Sequence, residues 1–107
     1  MNYKISYTHP FAKELKHLAK KYPSIKADVS NLIKELQINP LMGIPIGNNF
    51  YKIRLAIQSK GKGKSGGARV ITYVQVVNEN IFLIAIYDKS ESGNISDKEL
   101  ENRLKKL

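Results

Sequence analysis

The chain contains no cysteine and only two histidines, His9 and His17. Disulfides, thiolate metal sites and cysteine nucleophiles are therefore excluded, and two histidines are too few for a multi-histidine metal cluster. No apolar run is long enough to span a membrane, and the first ten residues lack the apolar block of a signal peptide. We expect a cytoplasmic protein that uses no metal or other cofactor. The 107 residues, 42% of them hydrophobic, predict one domain over 1–107.

Acidic residues are missing from the middle of the chain, since no Asp or Glu lies between positions 36 and 78. The cations of that stretch are Lys52, Arg54, Lys60, Lys62, Lys64 and Arg69. In the whole chain, eighteen Lys and Arg oppose nine Asp and Glu, which gives a formal net charge of +9. This excess favours binding to nucleic acid or to an acidic protein partner. The alternative interpretation is that the positive residues form a solvated surface that only keeps the protein soluble.

Hydrophobic periodicity predicts the order β-α-α-β-β-β-α. Residues 1–8 alternate as a strand, and a helix then opens at His9-Pro10 and is broken by Pro23. A second helix, capped by Ser24, ends at Asn39-Pro40, and an irregular connection follows over 43–49. Strands are predicted over 50–58, 68–77 and 81–87, and a capping box over 96–99 opens the last helix. The fold class is α+β, with a mostly antiparallel sheet packed by an N-terminal helical hairpin and a C-terminal helix.

The glycine–lysine loop, residues 60–67 (Lys-Gly-Lys-Gly-Lys-Ser-Gly-Gly), is similar to the end of a phosphate-binding loop. A nucleotide-hydrolase function is disfavoured because Gln58 replaces the required glycine, and because a strand follows where a helix should begin. Lys60, Lys62 and Lys64 instead have flexible stems that can follow a nucleic acid backbone. The alternative is a disordered basic hairpin tip with no function.

A second group of cations is predicted to converge. Lys52 and Arg54 project from one face of a strand, Arg69 starts the next strand, and Lys89 follows the last one. If these strands are neighbours, the four cations meet on one concave surface, where they would stabilise the extra negative charge of a phosphorane-like transition state. The alternative is that Lys52 and Arg54 only edge the solvent face of the sheet.

Three segments, taken in order, resemble the RelE/ParE superfamily of type II toxins, and most closely its HigB-like branch. They are Tyr51-Lys52-Ile53-Arg54-Leu55, the run 61–71 with its Gly-Lys-Gly-Lys loop before a Gly-Gly-x-Arg strand, and Ile86-Tyr87-Asp88-Lys89-Ser90-Glu91. The resemblance covers nearly the whole chain. It implies a microbial-ribonuclease-like arrangement and metal-independent, ribosome-dependent cleavage of mRNA, in which the 2′-hydroxyl attacks the adjacent phosphate.

The resemblance also implies roles for single residues. Lys52 matches the basic residue proposed as general base, Arg54 and Arg69 match cations that hold the phosphate, and Lys89 matches a basic residue that serves the leaving group. The implied partners are a cognate antitoxin and the ribosome with its mRNA and rRNA, and no membrane. An acidic antitoxin segment that folds on binding would suit a surface of this charge.

Two points depart from the pattern or stay open. Some RelE-type enzymes orient the base with a tyrosine near the C terminus, whereas here no tyrosine follows Tyr87. Tyr73 or Tyr87 is then the candidate for stacking on RNA. The ParE branch acts on DNA gyrase, so a non-catalytic gyrase inhibitor or nucleic-acid-binding module is the alternative. A decayed toxin that only binds its antitoxin also stays open.

Overall fold

The structure, a computed structural model, describes residues 3–91 and 93–107. Its elements are β1 (Lys4–Tyr7), α1 (His9–Lys21), α2 (Ile25–Ile38), β2 (Ile44–Gly47), β3 (Phe50–Leu55), a short 3-10 turn (Gln58–Lys60), β4 (Ala68–Gln75), β5 (Asn80–Asp88) and α3 (Asp97–Lys105). The five strands form one sheet in the order β1-β5-β4-β3-β2. Only β1 and β5 pair in parallel among these strands, which confirms the predicted α+β class and the mostly antiparallel sheet.

Local capping decides where the first two helices begin and end. The Thr8 hydroxyl accepts a hydrogen bond from the Phe11 amide at 3.1 Å, and α1 ends because Tyr22, before Pro23, is extended. Ser24 occupies the N-cap position of α2, as predicted, but its side chain makes no capping hydrogen bond among the described residues. Its hydroxyl instead donates to the Asp28 carboxylate at 2.8 Å.

Helix α3 keeps only half of the predicted capping box. The Ser96 hydroxyl accepts from the Glu99 amide at 3.1 Å, as the motif requires. The Glu99 carboxylate accepts from Arg103 Nε at 2.8 Å, so it does not return to the cap. Arg103 also donates to Glu14 of α1 at 2.9 Å, and these contacts fix α3 to the rest of the domain.

Residues 44–47 form a short edge strand where an irregular connection is expected. The link to β3 is a two-residue turn, Asn48-Asn49, in which both residues have positive φ angles (54° and 67°), as a type I′ hairpin requires. Pro45 is tolerated because β2 lies at the edge of the sheet, and the pairing with β3 shifts register between Pro45 and Gly47. The rest of the predicted element order is confirmed, while residues 1–2 of the predicted first strand lie outside the described residues.

The two faces of the sheet carry two separate hydrophobic clusters. Helices α1 and α2 cover one face, where Ile25, Leu36 and Ile81 are completely buried. Helix α3 covers part of the other face through Leu100, which packs with Ile84. Strand β5 is buried on both faces, as its uninterrupted apolar sequence predicts. In the described part of the chain, no helix has both the length and the apolarity needed to cross a membrane.

Candidate active site

The strand register places the predicted cations in neighbouring rows on the α3 face of the sheet. Arg54 of β3 lies directly opposite Arg69 of β4, and Arg69 lies opposite Tyr87 of β5. Lys52 is two residues from Arg54, so it projects from the same face. Like charges directly opposite each other on neighbouring strands destabilise a sheet, so the Arg54–Arg69 pair costs the fold some stability. A cost of this kind is typical of functional sites.

All four predicted catalytic cations line one cavity of about 190 Å³, which we call the cationic cavity. Its lining residues are Ile44, Lys52, Arg54, Arg69, Tyr87, Lys89, Gly93 and Asn94. No carboxylate is among them, and within the described residues none of the four cations forms an ion pair. The structure therefore brings the four side chains together around a space that an anion can occupy.

Arg69 is buried and its guanidinium is fixed by backbone carbonyls. The residue is only 5% exposed. One guanidinium nitrogen donates to the carbonyl oxygens of Lys64 at 3.0 Å and Ala68 at 3.1 Å, and the other donates to that of Ser65 at 3.5 Å. These acceptors are neutral, so they orient the guanidinium without cancelling its charge. Such a preorganised cation suits the stabilisation of charge that develops in a transition state.

Lys52 is oriented by Asn94, which lies in the segment before α3. Its ammonium donates to the Asn94 side-chain oxygen at 2.9 Å. The amide fixes the ammonium position without supplying a negative charge. A neighbouring cavity of about 240 Å³ shares Lys52, Tyr87 and Asn94 and is also lined by Asp97. No spacing rule singles out Asn94, because its place depends on how the segment before α3 lies against β3.

Tyr87 lines the cationic cavity, and its hydroxyl is buried. The residue is 7% exposed, and its hydroxyl has no hydrogen-bond partner among the described residues. Burial raises the pKa of the Tyr87 phenol, and the positive charge of Arg69 opposes part of that rise. The phenol is therefore protonated near neutral pH and can donate one hydrogen bond. Its ring packs in the cluster under α3, beside Ile71 and Leu100.

Tyr73 lies elsewhere, so of the two tyrosines considered for stacking on RNA only Tyr87 lines the cationic cavity. Its ring packs against Phe50, at a centroid distance of 5.3 Å, and against Phe82 at 6.4 Å. It is four residues along β4 from Arg69, which is about 13 Å in a strand. Tyr73 is therefore a packing residue of the α3-side cluster and does not line the cationic cavity.

Lys60 is also placed differently from the prediction. Its ammonium forms an ion pair with Asp88 at 2.8 Å, donates to the Ser90 hydroxyl at 2.9 Å and lies 5.4 Å from the centre of the Tyr22 ring. Only 11% of its side chain is exposed and its ammonium is already paired with a carboxylate, which argues against the predicted contact of Lys60 with RNA. Lys62 and Lys64 are exposed, and Lys64 lines a further cavity together with Arg54.

Comparison with known proteins identifies the fold first. The structure of a double arginine-to-alanine mutant of Escherichia coli toxin RelE in the free state aligns with a TM-score of 0.65 at 16% identity, covering 100% of this chain and 99% of that one. The same kind of mutant in complex with a peptide of antitoxin RelBc aligns at 0.61 and 18%, covering 97% and 95%. The RelE–RelB complex of Pyrococcus horikoshii aligns at 0.54 and 19%, covering 86% and 100%. At these identities the similarity establishes a shared fold.

A family model then identifies the protein's family. The model described as the RelE toxin of the RelE/RelB toxin–antitoxin system matches residues 4–107. The chain therefore belongs to the RelE family of toxins of toxin–antitoxin systems. Within the described residues, no three or more His, Asp or Glu side chains are grouped closely enough to hold a metal ion.

Proposed function

We propose that this toxin is a ribosome-dependent endoribonuclease that cleaves mRNA by attack of a 2′-hydroxyl on the adjacent phosphate. The observation that carries the proposal is the cationic cavity, in which four cations, without carboxylate partners among the described residues, lie beside Tyr87. A phosphodiester gains negative charge on its non-bridging oxygens as the attacking oxygen approaches. A fixed group of cations is therefore more complementary to the transition state than to the substrate.

Arg69, Arg54 and Tyr87 are the groups that we assign to the phosphate. Arg69 is held rigid by carbonyls, so it would donate to one non-bridging oxygen with little loss of side-chain entropy. Arg54 is exposed and lies directly opposite, so it would close on the phosphate from the solvent side. The Tyr87 hydroxyl has no acceptor among the described residues, and the phosphate would supply one. Loss of one preorganised donor such as Arg69 typically costs about 2.7–4 kcal/mol in the transition state.

Lys52 and Lys89 are the candidates for proton transfer, following the roles that the family resemblance implies. Lys52, in its neutral form, would accept the proton of the 2′-hydroxyl as the 2′-oxygen bonds to phosphorus. Lys89 would give a proton to the 5′-oxygen as the bond from phosphorus to that oxygen breaks. The products are a 2′,3′-cyclic phosphate and a 5′-hydroxyl, with no atom taken from water. Both lysines line the cationic cavity, which supports this division of roles.

The partners follow from charge and from the family. The protein has a formal net charge of +9, so an acidic antitoxin segment that folds on binding would neutralise it, and the rRNA and mRNA of cytoplasmic ribosomes would attract it. Two of the related structures are complexes with antitoxin polypeptides, which supports an antitoxin partner here.

Primer extension on an mRNA incubated with translating ribosomes and purified protein tests the proposal. We expect cleavage within codons, an upstream fragment that ends in a cyclic phosphate, and a downstream fragment whose 5′-hydroxyl a kinase can label. Arg69→Ala should cleave about 10²–10³-fold more slowly. Lys34→Ala, which removes an exposed cation of α2 outside the cavity, should cleave like the unmodified protein.

Two results would contradict the proposal. One is undiminished cleavage by an Arg69→Ala protein whose circular dichroism shows that it is folded. The other is intact mRNA together with blocked supercoiling by DNA gyrase, which would establish the ParE-like alternative.

A further inference from the structure

The glycine–lysine loop is fixed to the domain at its first residue by a buried ion pair. Lys60 contacts Asp88, which is only 3% exposed and lies at the end of β5. The same carboxylate accepts from the Tyr22 hydroxyl at 2.5 Å and from the Ser90 amide and hydroxyl at 3.0 and 2.8 Å. Burial alone would raise the pKa of Asp88, but its hydrogen bonds with Lys60, Tyr22 and Ser90 outweigh the effect of burial and hold the pKa well below its usual range.

The last residue of the loop is fixed by close packing. A Cβ atom on Gly67 would lie 2.1 Å from the Leu55 carbonyl oxygen and 3.1 Å from Ala56 Cα, so only glycine fits there. The Gly67 carbonyl in turn accepts from the Lys89 amide at 3.1 Å. Both ends of the loop are therefore attached to the strand ends that carry the cationic cavity.

Between these two anchors, the loop backbone faces Arg69. The carbonyl oxygens of Lys64 and Ser65 accept from the two terminal nitrogens of the Arg69 guanidinium. The side chains of Lys62 and Lys64, by contrast, are exposed. A buried guanidinium without a carboxylate needs such carbonyl acceptors, because an unsatisfied buried cation is costly.

We propose that the glycine–lysine loop is a positioning element for Arg69, held in place by the Lys60–Asp88 ion pair. Its backbone carbonyls aim the guanidinium into the cationic cavity, and Lys60 acts on catalysis only through them. Lys60 is thus a positioning residue, distinct from Lys62 and Lys64, whose charges remain free to attract RNA. The part of this inference that concerns catalysis rests on the proposed nuclease function, whereas the part that concerns Arg69 geometry does not.

The chain offers a matched pair of variants, Lys60→Met and Lys62→Met. Each removes one positive charge from the same loop and leaves an unbranched side chain. We expect Lys60→Met to lower kcat by about 10- to 100-fold with little change in KM, because Arg69 loses its orientation. We expect Lys62→Met to raise KM and to weaken the salt dependence of ribosome binding, with kcat unchanged. Lys60→Arg, which can keep the ion pair, should restore most of kcat.

Arginine side-chain NMR gives a readout that needs no activity. The chain has only three arginines, Arg54, Arg69 and Arg103, so their guanidinium signals are readily assigned. In the unmodified protein and in Lys62→Met, we expect slow rotation and slow hydrogen exchange for the Arg69 guanidinium. In Lys60→Met, both rates should approach those of the exposed Arg54, while the signals of Arg103, paired with Glu14, should not change.

The outcomes separate this inference from the proposed function. If the unmodified protein shows no cleavage activity, the proposed function is wrong. The NMR signals of the Arg69 guanidinium would still show whether Lys60 positions Arg69. Unchanged Arg69 signals in Lys60→Met, or identical effects of the two substitutions on KM and salt dependence, would overturn the inference. Should Lys60→Met not fold by circular dichroism, Lys60→Gln, which retains a hydrogen-bond donor for Asp88, is compared with Lys62→Gln by the same criteria.

Discussion

Replacing Tyr87 with phenylalanine should stabilise the free protein and slow its reaction. The residue is 7% exposed and its hydroxyl lacks a hydrogen-bond partner in the described part of the chain. Mutational data place the cost of burying such a hydroxyl at about 1–3 kcal/mol. Tyr87→Phe relieves that cost but leaves a small void, so we expect a gain of about 1 kcal/mol in the free energy of unfolding. For a domain of this size that corresponds to roughly 4–8 °C in melting temperature.

The effect on cleavage has the opposite sign. In the proposed complex the hydroxyl donates to a charged phosphate oxygen, and a hydrogen bond to a charged group contributes about 1.5–3 kcal/mol. At 1.36 kcal/mol per factor of ten, its loss lowers kcat/KM by roughly 10- to 150-fold. A substitution that makes the fold stronger and the enzyme weaker is the signature of a side chain kept for binding or catalysis.

Urea unfolding and primer extension, run on the same preparations, measure both effects. The urea midpoint should rise without a change in the m value. Tyr7→Phe is the matched control, because Tyr7 is 63% exposed at the edge strand and should alter neither quantity. A loss of stability in Tyr87→Phe would refute the reasoning, since it would show that the hydroxyl already has a partner in the free protein. Undiminished cleavage would remove Tyr87 from the site.

Three further predictions concern the loop and its anchors. Gly67→Ala should lower the free energy of unfolding in urea by more than about 3 kcal/mol, because the added Cβ would clash with the Leu55 carbonyl oxygen. Gly93→Ala is the control, since its Cβ would meet open space, and it should change that free energy by less than about 0.5 kcal/mol. Because the pKa of Asp88 is lowered in the folded protein, its carboxylate stabilises the fold at neutral pH, and this stabilisation is lost as the pH falls below about 4. Asp88→Asn should therefore have a lower free energy of unfolding at pH 7 and a weaker dependence of that free energy on pH in acid. An equal pH dependence in the two proteins would contradict the assignment. Lys62→Ala should reduce the slope of log affinity for ribosomes against log salt by about 0.7–0.9, and an unchanged slope would mean that this lysine does not reach RNA.

The convergence of the cations is predictable because it depends on short-range rules. Strand alternation puts Lys52 and Arg54 on one face of β3. Strands that follow each other along the chain tend to pair as antiparallel neighbours, so β4 and β5 bring Arg69 and the end of β5 beside these two cations. The same rules predict that β5 is buried on both faces. They need no knowledge of how the helices dock.

The features that escaped prediction depend on contacts between distant residues. Lys60 has the sequence context of a solvated loop lysine, and it is buried by contacts with distant residues, among them Asp88, 28 positions away. Tyr73 and Tyr87 have similar contexts, and the length of β4 separates Tyr73 from the cavity. Asn94 reaches Lys52, 42 positions away, through an irregular segment. The edge strand β2 was missed because its pairing depends on the Asn48-Asn49 turn, whose two positive φ angles no apolar pattern reveals.

The facing arginines of β3 and β4 have a consequence for how such a toxin decays. Electrostatic repulsion between Arg54 and Arg69 weakens the unliganded sheet, and any oligoanion that bridges them raises the melting temperature by mass action. If Arg54 binds the phosphate as proposed, a host lineage that loses its antitoxin would gain from a neutral residue at position 54 in two ways, because growth inhibition would cease and the polypeptide would fold more readily. Silenced descendants of this chain should therefore retain Arg69, which its carbonyl neighbours accommodate, more often than Arg54.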